Sequence, residues 1–401
     1  MISVEEAQQL ILDTVVLGGV ERLDILGAGG RVLAETVTAA QDFPPYDNSA
    51  MDGYAVRSQD LGQTRLTVIE VIPAGKLPER AVGTGECARI MTGAVLPAGA
   101  DAILIQEEVN VRGDAIEFAQ LPQSGTHVRC RGDYHRAGDI LLKPGTVLRA
   151  GEIAILAAAQ RSFVLAHRAP IVAVLSTGDE LVGIDGHLQP GQIVDSNQYG
   201  LAAQVRAAGG IPRMLGIARD DPAHLRECLE SALSADFILT SGGVSVGQFD
   251  YMLQVLAEMA AEVVLYKINM KPGKPLTFAR LRGRLLWGLP GNPVSALLCF
   301  WQFVRPAIRK SLGYPGTGWF LPNIQARLNA SVSTKGDRRT YLRGRLALES
   351  GEWVFTPYRT DSSGDLVSLA GINGFAWLER GIAVAESGST VPVLLVGEPD
   401  T

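Results

Sequence analysis

Cysteine is scarce in this chain of 401 residues, and its spacing indicates neither a metal site nor a disulfide framework. The four cysteines form no C-x-x-C pair, and the five histidines are isolated from one another. No apolar run approaches the roughly 20 residues needed to span a bilayer. The first residues carry no basic signal-peptide region. These absences predict a soluble cytoplasmic protein that makes no contact with a membrane.

Positive charge is limited as well. The formal net charge of −6 argues against a nucleic-acid partner, which requires a basic surface. No G-x-G-x-x-G opens a strand–helix unit, so a Rossmann dehydrogenase is disfavoured. No Ser/His/Asp or Cys/His nucleophilic arrangement is visible. Lysine is rare, with 7 residues against 29 arginines, yet Lys267, Lys271 and Lys274 fall close together. Because the compact ammonium group suits phosphate, this cluster predicts an anion site.

A glycine-rich stretch at residues 240–250 predicts the centre of that site. The run at 236–239, apolar after Asp236, is typical of a buried parallel strand, and residues 251–259 have helical spacing. Gly242 and Gly243 allow a positive φ and a close approach of a ligand to the backbone. Amides beside a helix N-terminus suit anions. Asp250 is either an N-cap or a carboxylate directed at the ligand, and the sequence leaves both open.

Similar turns follow the neighbouring predicted strands. Asp179 and Glu180 follow an apolar run at 171–175, where they suit Mg²⁺ or substrate hydroxyls, or form a solvated turn. Asp195 and Ser196 precede a predicted helix, which either of them would cap. Strand and helix patterns alternate from about 170 to 310. That alternation predicts a three-layer α/β domain with a mainly parallel sheet.

The flanking regions have other patterns, so we expect a multidomain α/β protein. Residues 1–168 are predicted to form an N-terminal α/β region with a small β insertion at about 45–140. A capping box at Ser3 and Glu6 opens its first helix, and a second helix is expected to include residues 31–34. The central α/β domain is predicted at 169–312. Short strands with Gly, Ser and Asp turns predict a C-terminal β barrel at 319–398.

Six motifs, in order along the chain, resemble those of one family. They begin at Ser49, Met91, Ser176, Ser241, Met270 and Pro290, and they read SAMDGYAV, MTGA, STGDEL, SGGVSVG, MKPGKP and PGNPVS. The chain is similar in these motifs to the molybdopterin molybdenumtransferases, the MoeA family, which includes the E domain of gephyrin. The resemblance covers nearly the whole chain and weakens in the C-terminal barrel.

This resemblance implies a function and a set of site residues. Family members insert molybdate into adenylylated molybdopterin and release AMP in the presence of Mg²⁺. The catalytic residues implied are Asp52, Thr92, Glu180, Asp250, Lys267 and Lys271. The metal ligands implied are Asp179, Glu180 and Asp250. The substrate-binding residues implied are Asp179, Asp195, Ser196, Asp220, Ser241, Gly242, Gly243, Val244, Ser245, Lys274, Pro290, Asn292, Pro293, Arg343 and Ser363.

The resemblance also implies a homodimer, with possible contacts to molybdopterin adenylyltransferase and to molybdoenzyme chaperones. Two alternatives remain. One is adenylyl transfer to molybdopterin, although enzymes of that kind usually lack the flanking domains expected here. The other is a dimeric scaffold of the gephyrin type. For Asp52, a simple turn-forming role is as acceptable from the sequence as a catalytic one.

Overall fold

The structure is a computed structural model that describes residues 1–243, 251–358 and 362–400. Its contacts divide the chain into two compact units. The first consists of Met1–Ala34, Pro144–Arg149 and Phe163–Thr401, and the second of Glu35–Lys143 and Ala150–Ser162. The expected boundaries of three domains are not tested by this division and stay a prediction.

The α-helices of the described residues are labelled in chain order. They are α1 Val4–Thr14, α2 Ala150–Ala158, α3 Asn197–Ala208, α4 Pro222–Ala232, α5 Tyr251–Glu258, α6 Pro293–Cys299 and α7 Arg305–Ser311. A π-helical stretch, Phe300–Val304, joins α6 to α7. The predicted capping box of α1 is present, because Ser3 accepts from the Glu6 amide and the Glu6 side chain accepts from Ser3. No helix within these described ranges is long and apolar enough to cross a membrane.

A mixed sheet of six strands forms the centre of the first unit. From one edge to the other its strands are Ile211–Ala218, Ile171–Thr177, Phe237–Ser241, Arg284–Leu289, Thr277–Leu281 and Glu262–Tyr266. The first four are parallel, and the last two pair antiparallel. This arrangement confirms the predicted central domain with its mainly parallel sheet.

Both faces of this sheet are covered, because its strands are apolar at almost every position. Val172 and Val174 pack into a core on one face that also takes Ile11 of α1. Ala173 and Leu175 pack into a second core on the other face. Side chains alternate between the two faces of a strand, so a continuous apolar run fills both layers.

The strand order places a crevice where the site was expected. Ile171–Thr177 lies between Ile211–Ala218, the next strand of this sheet in sequence, and Phe237–Ser241. The chain therefore leaves these two central strands in opposite directions. In open α/β sheets, ligands bind outside the carboxyl ends of the strands at such a switch point. Thr177 and Ser241 end the two strands here.

The C-terminal part of the first unit contains the predicted barrel. Its strands are Asn323–Leu328, Arg339–Glu349, Glu352–Pro357, Gly374–Leu378 and Thr390–Leu395. Pairing of Arg339–Glu349 with both Glu352–Pro357 and Gly374–Leu378 closes the sheet on itself. The two-residue strand Met270–Lys271 from the central region pairs with Arg339 and Thr340. Residues 267–274, which carry Lys267, Lys271 and Lys274 and which we call the lysine loop, are thereby joined to the barrel.

The second unit contains another sheet of six strands. In sheet order these are Ala102–Ile105, Gly53–Val56, Glu86–Ile90, Arg65–Ile72, Ala115–Phe118 and Val109–Arg112.

The remaining short strands of the described chain, from both units, are Val20–Asp24, Val37–Thr38, Asn48–Ser49, Val128–Arg129, Ile140–Leu142, Phe163–His167, Leu181–Val182, Ile193–Val194, Val332–Ser333 and Val384–Ala385.

The helix expected at residues 31–34 is wrong. Val32 forms an isolated bridge with Val147, and Leu33 forms one with Ala166. Both side chains are fully buried. The apolar pair is held extended by partners distant in sequence, and such tertiary contacts override a weak local helical preference.

Candidate active site

A cavity of ≈ 640 Å³ opens at the carboxyl edge of the central sheet. We call it the glycine-loop cavity. Its described lining is Ser176, Thr177, Gly178, Glu180, Leu181, Ile193, Val194, Asp195, Ser196, Asn197, Asp220, Ser241, Gly242, Gly243, Pro275, Pro290, Gly291, Asn292, Pro293, Gly364 and Leu366. Ten of the predicted site residues are therefore brought together: Glu180, Asp195, Ser196, Asp220, Ser241, Gly242, Gly243, Pro290, Asn292 and Pro293.

The two glycines after the third central strand are required by their backbone and by a close neighbour. Gly242 has φ 96° and Gly243 has φ 62°, in the left-handed region that side chains disfavour. A methyl group on Gly242 would overlap the Thr177 carbonyl oxygen and lie 2.9 Å from Thr177 Oγ1. One on Gly243 would lie 2.8 Å from the same Oγ1. The loop thus lies directly against the end of the neighbouring strand.

Asn197, the first residue of α3, ties two loops of the cavity together. Its Nδ2 donates to Ser241 Oγ at 2.8 Å and to the Gly291 carbonyl oxygen at 2.6 Å. Ser241 Oγ in turn donates to the Pro290 carbonyl oxygen at 3.4 Å. The glycine loop and the turn before α6 are therefore fixed relative to each other.

Three polar atoms of the lining have no hydrogen-bond partner among the described residues. They are Ser176 Oγ, Thr177 Oγ1 and Asn197 Oδ1, and all are buried. Ser176 is 1% exposed and Thr177 is 5% exposed. A buried polar group without a partner is costly, on the order of 1–3 kcal/mol. A ligand with several polar atoms would satisfy these groups.

The cavity also collects carboxylates. Glu180 and Asp220 line it, and Asp179 holds Asp220 in place, because Asp179 Oδ1 accepts from the Asp220 amide at 3.2 Å. Asp220 Oδ2 accepts from the Asp179 amide at 3.4 Å. Asp195 accepts from the Gln198 amide and from Gln198 Nε2, both at 3.2 Å, so it also helps to start α3.

This acid set fits Mg²⁺ only together with a substrate. Within residues 1–243, 251–358 and 362–400, no three His, Cys, Asp or Glu side chains are grouped to hold a metal ion. Mg²⁺ is usually bound by one or two carboxylates plus substrate phosphates and water. Glu180 and Asp220 match that smaller requirement.

A second cavity, of ≈ 370 Å³, lies between the lysine loop and the barrel strands. We call it the lysine–arginine cavity. Lys271 and Arg343 line it, with Ser331, Ser333 and Thr340 among the polar residues, and its described lining contains no carboxylate. Arg343 is 5% exposed and donates from Nη2 to the Ser362 carbonyl oxygen at 3.0 Å. Two cations in such a lining favour an oxyanion.

Like Asp179, the predicted residues Lys267, Lys274 and Ser363 lie outside the described linings of both cavities. Lys267 has φ 65°, and its Nζ lies 4.3 Å from the centre of the Tyr266 ring. Lys274 accepts from the Ile268 amide through its carbonyl oxygen at 3.0 Å. Ser363 borders the glycine-loop cavity indirectly, because its Oγ accepts from Asn292 Nδ2 at 2.8 Å.

Asp52 and Thr92 meet within the second unit. Asp52 Oδ1 accepts from the Thr92 amide at 2.7 Å and from Thr92 Oγ1 at 2.8 Å. These bonds, the amide first, lower the pKa of the Asp52 carboxyl, and Arg89 adds a smaller contribution. The exposed carboxylate is thus held in one orientation and kept ionised. Val244, Ser245 and Asp250 lie outside the described residues, so their predicted roles stay predictions.

Sequence reasoning missed several residues of the glycine-loop cavity, and two of them, Thr177 and Asn197, fix its geometry. Thr177 contacts both glycines, although it stood inside a quoted motif without a role. Asn197 joins two loops, although its place beside Ser196 suggested only a helix start. Both could have been predicted from their positions, because a polar residue at a strand end or helix start beside a predicted switch point is placed to line the ligand site.

The fold and the cavities together define a multidomain α/β protein whose site, at a topological switch point, is suited to bind an anion. Three family models match in chain order: the "MoeA N-terminal region (domain I and II)" at residues 2–159, the "Probable molybdopterin binding domain" at 173–310, and the "MoeA C-terminal region (domain IV)" at 325–396.

Relatives of similar length match as well. A protein of Nostoc sp. named molybdopterin molybdenumtransferase is 44% identical over 385 residues, covering 93% of this chain and 88% of the relative. One of Bacillus subtilis with the same name is 33% identical over 414 residues, covering 99% and 94%. The crystal structure of a molybdopterin biosynthesis MoeA protein from Pyrococcus horikosii superposes with a TM-score of 0.85 at 32% identity, covering 99% of this chain and 100% of that one. The chain belongs to the MoeA family of molybdopterin molybdenumtransferases, which confirms the resemblance found in its motifs.

Proposed function

We propose that this enzyme inserts molybdate into adenylylated molybdopterin and releases AMP. The observation that carries the proposal is the glycine-loop cavity. Its buried part offers the hydroxyl groups of Ser176 and Thr177, which have no partner among the described residues, beside two glycines that permit close approach of a phosphate. Membership of the family supplies the identity of the phosphorylated substrate.

The lysine–arginine cavity is proposed as the binding place of molybdate. Its charge is supplied by Lys271 and Arg343, and its hydroxyl groups by residues such as Ser331 and Thr340. A tetrahedral oxyanion accepts hydrogen bonds at every oxygen, so a pocket of donors without a described carboxylate suits it. The nearby Asn292–Ser363 bond joins the segment next to Arg343 to the glycine-loop cavity.

We propose Mg²⁺ as the cofactor, held by Glu180 and Asp220 together with substrate phosphate. Asp179 would keep Asp220 in position through their reciprocal bonds. When bound, the ion would neutralise charge on the phosphoanhydride. Titration calorimetry checks this directly: we expect Mg²⁺ to bind with AMP present and far more weakly without it, and Glu180→Gln to weaken that binding.

The two alternatives predict different products. An adenylyltransferase forms pyrophosphate from unmodified molybdopterin and MgATP, whereas this proposal predicts none. A scaffold without activity would leave adenylylated molybdopterin unchanged when molybdate is added. Matches to the N-terminal and C-terminal MoeA regions favour the molybdenumtransferase activity over adenylyl transfer. Relatives named molybdopterin molybdenumtransferase that match over most of the chain favour it over a scaffold. Measuring pyrophosphate and AMP in parallel, with each substrate alone as control, separates the three hypotheses.

We further propose that the working unit is a homodimer. Helix α2 supports this, because its sequence AGEIAILAA is apolar almost all round, yet of its residues only Leu156 is buried. An apolar helix is normally covered. Light scattering is expected to give a dimer, and Ile155→Lys is expected to shift it towards monomer. A monomeric wild-type protein would contradict the proposal. Contacts with an adenylyltransferase or with molybdoenzyme chaperones stay predictions from the family resemblance.

A further inference from the structure

A short segment of the C-terminal region reaches the glycine-loop cavity. It runs from Ser362 to the 3-10 helix Leu366–Leu369, which lies between two barrel strands in sequence. Asp365 caps this helix, because its Oδ1 accepts from the Ser368 amide at 3.3 Å. Ser368 Oγ also donates to the Asp365 carbonyl oxygen at 2.5 Å. The turn is therefore locally well defined.

Bonds at both ends hold the segment in place. Asn292 Nδ2 donates to Ser363 Oγ at 2.8 Å, and the Val294 amide donates to the Ser363 carbonyl oxygen at 3.2 Å. Ser362 accepts from Arg343 Nη2 at 3.0 Å. Asn292 and Val294 open α6, so the segment is fastened to the same turn that lines the cavity. Gly364 and Leu366 consequently form part of the cavity lining.

The lining of this cavity combines polar and apolar side chains. Among the buried ones, the Ser176 and Thr177 hydroxyl groups have no hydrogen-bond partner within the described residues. Leu366 is 42% exposed, Ile193 is 57% exposed and Val194 is 37% exposed, so these three apolar side chains are accessible to a ligand. Exposed apolar side chains around a cavity indicate a ligand that covers them. The ligand should therefore have an apolar part as well as a polar, anionic part.

We propose that Leu366, together with Ile193 and Val194, contacts the planar heteroaromatic ring of the substrate while its phosphate lies at the glycine loop. The inference rests on the proposed function and extends it. It makes Leu366 a specificity-determining residue, contributed to the central site by the C-terminal region. The ring is adenine or pterin, which share flatness and a largely apolar face.

The neighbouring residue provides a matched control. Val367 is 76% exposed and belongs to the same 3-10 helix, but it does not line the cavity. Truncating either residue to alanine removes exposed apolar atoms from the same short element. Only the Leu366 change should alter a ligand contact.

The experiment measures dissociation constants by titration calorimetry for the full chain and for Leu366→Ala and Val367→Ala. The probes are AMP, ribose 5-phosphate and 6-hydroxymethylpterin. Leu366→Ala should weaken a ring-bearing probe about fivefold, roughly 1 kcal/mol, since about three carbons lose part of their burial. Ribose 5-phosphate should bind unchanged, and Val367→Ala should match the wild type with every probe.

The outcomes separate the possibilities. Weaker binding of AMP alone assigns the contact to adenine, and weaker binding of the pterin alone assigns it to that ring. Equal losses for ribose 5-phosphate and AMP, or no loss for either ring-bearing probe, overturn the inference. A wild-type protein that binds none of the probes overturns the proposed function and this inference with it. Wild-type binding that Leu366→Ala leaves intact overturns the inference alone.

Discussion

The strongest structural demand in the glycine-loop cavity is at Gly242, so Gly242→Ala provides the sharpest test of the site. The residue has φ 96°, a conformation that costs an L-residue roughly 1–2 kcal/mol. The new methyl group would also overlap the Thr177 carbonyl oxygen and lie 2.9 Å from Thr177 Oγ1. The carbonyl oxygen is a backbone atom that cannot turn aside as the end of a side chain could, so the loop has to shift.

That shift moves the backbone that would receive the phosphate. We expect AMP binding to weaken at least tenfold, about 1.4 kcal/mol or more. Calorimetry measures the affinity, and thermal unfolding measures the accompanying loss of stability. Gly291→Ala is the matched control on the same cavity, because a methyl group there would lie 3.6 Å from Gly242 Cα, in ordinary contact. Near wild-type affinity in Gly242→Ala, or an equal loss in Gly291→Ala, would refute the reasoning.

Three further outcomes are expected. Lys271→Ala should weaken molybdate binding about ten- to a hundredfold, since a hydrogen bond to a charged group contributes roughly 1.5–3 kcal/mol. Lys271→Arg should restore the binding only partly, because a planar guanidinium group replaces a point charge. Unchanged molybdate binding in Lys271→Ala would remove this residue from the site. The pKa of Asp52 is lowered in the folded protein, so the stabilisation from its ionised form is present above the unfolded pKa and is lost as pH falls through the folded pKa. In an NMR titration, Thr92→Val should raise the pKa of Asp52 and Thr92→Ser should not. Equal Asp52 pKa values in the two variants would count against the hydrogen bond from the Thr92 hydroxyl group. Burial raises the pKa of the Cys87 thiol to about 12, so a thiol reagent at pH 8 should label the exposed Cys130 before Cys87. Labelling of Cys87 as early as Cys130 would contradict the burial of Cys87.

The central sheet was predictable because its signals are local and repeated. Residues 171–175 and 237–239 are apolar at consecutive positions, and the structure extends both runs into buried strands, Ile171–Thr177 and Phe237–Ser241. The turn glycines follow at once, so strand ends and loop positions could be derived together. The barrel was predictable for a similar reason, from short strands separated by turn residues.

Other features depend on contacts between distant residues, which no local pattern encodes. Val32 and Leu33 are extended because Val147 and Ala166 pair with them. Lys271 and Arg343 line the same cavity because Met270–Lys271 pairs with a barrel strand that lies some seventy positions later in the sequence. The lysine cluster predicted an anion site, but spacing did not distinguish Lys271, which lines a cavity, from Lys267, which stacks on Tyr266.

Release of AMP tests the central claim most directly. Purified protein is mixed with adenylylated molybdopterin, Mg²⁺ and increasing molybdate, and AMP and protein-bound molybdenum cofactor are measured in the same samples. The account predicts AMP release that depends on molybdate and matches the cofactor formed, one for one, with Lys271→Ala needing more molybdate to reach the same rate. AMP release that does not depend on molybdate would contradict the account, and so would the absence of AMP release by a folded wild-type protein that binds AMP.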